Sequence, residues 1–212
     1  AQSSCDELAW PQGKLATLMV DATGFKRRPN EQNNDNRGDL RVVIGLDQQG
    51  KSVPLGTWTD KSWEAIASEL EPKAEGKKLV EQLGCDGEPG LADQLAHLVN
   101  SVQRCHWHMV HDLDRVMWRD KAPMKQRRQD QAKLAGIIGI ELPKGDFQAV
   151  RTQDKEELQQ RVGMADQQLN ELVRTLHQKG YGQAANYISY AQKRLFNYVQ
   201  FWMQTGVAAA RT

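Results

Sequence analysis

Short apolar runs with the spacing of β-strands occupy the chain as far as residue 109 and then stop, and from Val110 onward the pattern is helical. Residues 14–21 (Lys-Leu-Ala-Thr-Leu-Met-Val-Asp) form a compact apolar run that closes on an acid, as a strand buried on both faces does. A polar loop rich in Asn, Asp and Gly over residues 30–39 leads to a second run at 40–46. A third follows at 52–58, with Gln49-Gly50 as the turn of a hairpin. Trp63, Ile66, Ala67 and Leu70 then recur at helical spacing, which predicts a helix over 61–70 with Asp60 as its cap and Pro72 beyond its end. A fourth strand is expected at 77–85. There Asp86-Gly87-Glu88-Pro89-Gly90 forces a turn. Residues 91–99 read as a helix and 102–109 as a fifth strand.

After that point, long Gln-, Lys- and Glu-rich stretches at 123–134, 154–179 and 181–203 predict helices, and only 136–142 carries a weak strand signal. Strands followed by a run of helices predict an α/β protein, a mixed sheet with helices packed against it. At 212 residues the chain holds one sizeable core, or one α/β core with a helical appendage.

The composition, 39% hydrophobic and 26% charged, is that of a globular protein and excludes wholesale disorder. No window approaches the roughly 18 apolar residues that a membrane-spanning helix needs, so no membrane partner is expected. The first thirty residues lack a secretory pattern, which points to a cytoplasmic protein. Cys5, Cys85 and Cys105 are too few and too scattered for a disulfide framework. A net charge of +1 means that any affinity for nucleic acid must come from local basic patches.

Two acids stand out. Asp21 and Asp86 each close an apolar run and precede a turn. If their strands are parallel neighbours, both side chains emerge at one edge of the sheet, where ligands of open α/β sheets bind. Phosphodiester chemistry needs charge neutralised on a phosphate and a water or hydroxyl activated, which two cations roughly 3.5–4 Å apart can do. Mg²⁺ or Mn²⁺ would take one or two carboxylates each and keep several waters. An acid at a strand end is also common as a turn residue, and that reading fits the same positions.

Val20-Asp21-Ala22-Thr23-Gly24-Phe25, the hairpin, Cys85-Asp86-Gly87-Glu88-Pro89-Gly90 and Cys105-His106-Trp107-His108 fall in an order that resembles the landmarks of DDE transposases of the Mutator-like and hAT-like kind. The likeness spans most of the chain. It implies an RNase H-like mixed five-stranded sheet flanked by helices, with an all-helical insertion in the C-terminal half. The implied division is a catalytic core at 1–115, the insertion at 116–185 and a returning core helix at 186–212. It also implies Asp21 and Asp86 as catalytic ligands of two Mg²⁺ or Mn²⁺ ions, and Cys105 and His108 as the Cys-x-x-His pair that places DNA. The implied activity is cleavage and strand transfer at the ends of a mobile element, with target DNA as second partner and homo-oligomers as a family expectation. The family's third acid is a Glu after the insertion, whereas no Asp or Glu follows Glu171 here. It is expected beyond Thr212, in a fragment that would bind metal poorly, with Glu157 or Glu171 as alternatives. The rivals are an RNase H-like nuclease or resolvase and a non-catalytic domesticated DNA-binding relative.

Other residues admit two readings each. Cys105, His106, His108 and His111 are zinc-type ligands, but the tight run lacks separated ligand couples, and a strand would turn Cys105 away from both His106 and His108. Cys105 and His108 also fit a buried thiol and a core histidine. Lys26, Arg27 and Arg28 follow the first acid and could clamp DNA phosphates, as could Lys121, Lys125, Arg127 and Arg128, or either group could be a solvated face. Trp107 and Trp118 could stack on bases, although core packing is the simpler expectation. Tyr187, Tyr190, Phe196, Tyr198 and Trp202 read as the buried stripe of one last helix. Glu88, in a Glu-Pro-Gly turn, is expected to stay outside the site.

Overall fold

The computed structural model describes residues 15–26, 37–74 and 77–208. The chain divides into two units, Ala1–Val102 and Gln103–Thr212, each with its own core.

The first unit is built on strands β1 (Leu15–Lys26), β2 (Arg37–Asp47), β3 (Ser52–Thr59), β4 (Val80–Cys85) and β5 (Val99–Arg104), whose last two residues belong to the second unit. Helix α1 (Trp63–Leu70) lies between β3 and β4, and the short helix α2 (Leu91–Leu95) between β4 and β5. The sheet order is β3-β2-β1-β4-β5, with β1–β2 and β2–β3 antiparallel and β1–β4 parallel. This is the α/β class expected, a mixed five-stranded RNase H-like sheet flanked by helices. The core joins Leu18, Val20, Val43, Leu83 and Cys85 to Trp63, Ile66 and Leu70 of α1 and to Leu91 and Leu95 of α2. Each large side chain fully buried there contributes about 1.5–3 kcal/mol.

The hairpin forms where expected. Asp47 accepts the N–H groups of Gln49 (2.9 Å) and Lys51 (2.8 Å), and Gly50 supplies the positive φ of the turn (78°). The cap of α1 is Ser62, whose Oγ accepts the Ala65 N–H at 3.2 Å, rather than Asp60. Asp60 is spent on β2 instead: its carboxylate accepts the Asp39 N–H at 3.0 Å, and its own N–H donates to the Asp39 carbonyl at 2.8 Å.

The expected strand at 102–109 is a correction. Val99, read as helical, opens β5, which ends at Arg104, and helix α3 (His106–Arg119) begins two residues later. An eight-residue apolar window cannot distinguish a strand from a helix start. What decides it is the continuation of His106 and Met109 through Leu113 and Met117, all on the buried face.

The second unit continues with α4 (Met124–Ile138), α5 (Thr152–Gln178), α6 (Gly182–Gln192) and α7 (Asn197–Thr205). Leu158, Ala165, Leu169, Leu172 and Leu176 form the 3.6-period stripe of α5, packed with Met109, Leu113 and Met117, Leu134 and Ile138, and Ile188. Residues 136–142 form no strand, since α4 runs through Ile138. The single helix expected over 181–203 breaks between Gln192 and Asn197. Gln103, fully buried, offsets the break: its Nε2 donates to the Leu195 carbonyl (3.0 Å) and its Oε1 accepts the Tyr198 N–H (2.9 Å). The break also splits the aromatic stripe. Phe196, Tyr198 and Trp202 are buried, while Tyr190 points outward because α6 buries Ala184, Ala185, Ile188 and Ala191.

Candidate metal centre

The register of β1 builds the site. Val20 lies opposite Cys85 in the parallel β1–β4 ladder, and the ladder ends there. β1 does not end, contrary to expectation. It stays paired with β2 from Asp21 opposite Val42 to Lys26 opposite Arg37. Asp21 therefore sits inside a long strand, at the fork where β4 departs. Successive side chains alternate between faces, so with Val20 and Cys85 in the core, Asp21 points to the opposite face of the sheet. Asp86, the first residue past β4, joins it there, with a carboxylate oxygen of each acid within 4.8 Å of the other.

Each carboxylate is steadied locally. Asp21 Oδ1 accepts the Ala22 N–H at 2.9 Å, and Asp86 Oδ1 accepts the Glu88 N–H at 3.0 Å. Asp21 is exposed and Asp86 half-buried, so water and a ligand can reach the pair. Two carboxylates this close could serve as oxygen ligands of a hard divalent cation. With Mg–O distances of about 2.0–2.1 Å, a small side-chain adjustment lets both acids reach one ion.

Glu88 holds the turn that carries Asp86. Its Oε2 accepts the Trp63 indole N–H at 2.8 Å, and its Oε1 lies 3.6 Å from the Arg41 guanidinium. Arg41 in turn donates to the Lys61 carbonyl, lies over the Trp63 ring (5.5 Å) and sits 3.8 Å from Asp39. Glu88 thus has structural work and stays outside the acid pair, as its turn context suggests. The roles of Arg41 and Trp63 escaped sequence reasoning. The available signal was Arg41 standing alone within the otherwise apolar stretch 40–46 of β2.

In the second unit Cys105 precedes α3, and its Sγ lies 3.1 Å from His108 Nδ1, one helical turn along. This contact corrects the strand geometry that would have separated them. The four zinc-type residues still do not converge. His106 Nε2–H donates to the Leu195 carbonyl (2.7 Å), its ring edge-on to Tyr198, and His111 stacks on Trp107. Trp107 and Trp118, expected in the core, are 61% and 65% exposed because the helix turns them away from Met109, Leu113 and Met117. Of the second basic group, Arg127 pairs with Asp114 at 2.8 Å, whereas Lys121, Lys125 and Arg128 are exposed. The side chain of Lys26, together with Arg27 and Arg28, lies outside the described residues.

Fold and site together describe an α/β protein whose mixed sheet brings two carboxylates, those of Asp21 and Asp86, together on one face. No protein-family model matches the chain, and no curated protein does. Among the described residues, no helix is long and apolar enough to cross a membrane.

Proposed function

We propose that the chain is the catalytic core of a DDE-type DNA transposase, cutting and joining phosphodiester bonds at the ends of a mobile element. The observation that carries this reading is the meeting of Asp21 and Asp86, 65 positions apart in sequence, at one fork of the sheet with carboxylate oxygens within 4.8 Å. Two Mg²⁺ or Mn²⁺ ions held there would neutralise charge on a phosphate and activate an attacking water or 3′-hydroxyl. Asp21 and Asp86 bind and orient, and the Glu88–Trp63–Arg41 network keeps the Asp86 turn in place. Cys105 and His108 are the proposed pair that positions DNA, with Lys26, Arg27 and Arg28 contacting phosphates.

The rival reading is a non-catalytic DNA-binding relative, which would keep the acid pair and an affinity for DNA without cutting or joining strands.

Calorimetric titration with Mn²⁺, run beside a strand-transfer assay on pre-cut element ends, tests the proposal. Cation binding and joining that both fall in Asp21→Asn and Asp86→Asn support the enzyme. Cation and DNA binding without cleavage or joining favours the non-catalytic relative. Unaltered cation binding in both variants removes the site.

A further inference from the structure

Helix α3 carries a solvent-facing stripe that the acid pair does not use. At about 100° per residue, Trp107, His111, Arg115 and Trp118 fall on one arc of the helix, opposite Met109, Leu113 and Met117. Two indoles more than 60% exposed are an unusual use of the largest apolar side chains, which normally dominate cores and interfaces. Trp107 is held in place: it stacks on His111 (5.0 Å between centroids, 12° between planes) and meets His108 edge-on at 4.8 Å. Eleven positions separate the two indoles, about 16 Å along the axis, a span of several stacked bases.

The charge around the stripe is uneven. Arg115 and Arg119 on α3, Lys121 in the following turn, and Lys125 and Arg128 on α4 are all exposed. The acids of the same segment are engaged within the unit. Asp112 pairs with Arg115 (3.2 Å) and Arg104 (3.7 Å), Asp114 with Arg127, and Asp120 accepts the Gln183 (3.3 Å) and Ala184 (2.9 Å) N–H groups. The exposed side chains of α3 itself are all aromatic or cationic, with no aliphatic residue among them, while Met124 at the start of α4 is exposed too.

We propose that this stripe is a stacking platform for unpaired bases of a DNA strand, whose phosphates run past Arg115, Arg119 and Lys121. Every base offers a π-face and every nucleotide a negative charge, the two features the stripe complements. Unpaired bases are required, because a continuous duplex hides its base faces. The choice of DNA as the strand rests on the proposed function; the stripe itself does not depend on the acid pair.

Fluorescence anisotropy of a labelled oligothymidylate, titrated with the full chain in EDTA, tests this separately from metal chemistry. Trp107→Ala and Trp118→Ala should each weaken binding about five- to a hundredfold, and Trp107→Phe should recover most of the loss. Arg119→Ala should flatten the salt dependence. Wild-type affinity in both alanine variants, or equal affinity for a blunt duplex, overturns the platform. So does a dimer, seen by sedimentation, that Trp118→Ala dissolves while no oligonucleotide binds. Oligonucleotide binding without cation binding at Asp21 and Asp86 supports the stripe and removes the centre, whereas the reverse result sinks the stripe alone.

Discussion

Cys85 faces Val20 across the last rung of the parallel β1–β4 ladder, and the residue after each is an aspartate. That rung decides which acids meet. A slip of one residue in β4 would turn Asp86 into the core and leave Asp21 without its neighbour. On the proposed function, a divalent cation would be held between the two carboxylates.

Asp21→Asn and Asp86→Asn are expected to fold normally and, in EDTA, to melt at or slightly above the wild-type temperature, because a like-charge contact is removed. Mn²⁺ at about a hundred times its dissociation constant should stabilise the wild type by about 2.7 kcal/mol and each variant by far less. Thermal shift with and without the ion checks both halves; an equal Mn²⁺ shift in all three proteins rules out the pair as ligands.

Loss of the Glu88 carboxylate frees the Asp86 turn. Glu88→Ala should cost about 1–3 kcal/mol by stranding the Trp63 indole N–H and removing one of the two carboxylates beside Arg41, and should weaken Mn²⁺ binding as well. Glu88→Gln, still able to accept from Trp63, should lie between. Urea unfolding gives the first number and calorimetry the second; unchanged Mn²⁺ affinity in Glu88→Ala would mean the turn holds without it.

Gln103→Leu tests the break between α6 and α7. It removes the Gln103 bond to the Tyr198 N–H and leaves the Leu195 carbonyl to His106 alone, at about 1–3 kcal/mol in total. Amide exchange at Tyr198 should accelerate alongside the drop in urea midpoint. A midpoint within experimental error of wild type would show that the break satisfies itself.

Burial pushes the Tyr187 phenol up to about 12, opposed by the charge of Arg104 and reinforced by Asp112. Folded and unfolded chains are both protonated at this residue below pH 10, so its contribution is intact there. Between pH 10 and about 12 the unfolded chain releases the proton first and stability falls, by about 2 kcal/mol. Tyr187→Phe gives up the hydrogen bond from Arg104 (2.7 Å) at neutral pH but should show a flatter alkaline limb. Identical alkaline slopes for the two proteins would refute the assignment.

Much of the fold was legible because it follows from local pattern. The run ending at Asp21, the Gln49-Gly50 hairpin and the α5 stripe each repeat a period long enough to read. Two of the errors share one cause. Residues 102–109 and 181–203 carry apolar residues whose partners lie far along the chain, and a short window cannot tell which face they will cover. Trp107 and Tyr190 were misplaced because aromatic character says nothing about which side of a helix faces water.

By itself the sequence determined the α/β class, the order of strands and helices, and the two aspartates as the pair to watch, since apolar period and turn chemistry act between near neighbours. Only the tertiary structure decided that β1 runs on past Asp21, that Arg41 and Trp63 hold Glu88, and that Gln103 bridges the α6–α7 break. Those outcomes depend on ladder register and on hydrogen-bond partners up to 95 residues apart, which are fixed by packing the whole chain rather than by any segment of it.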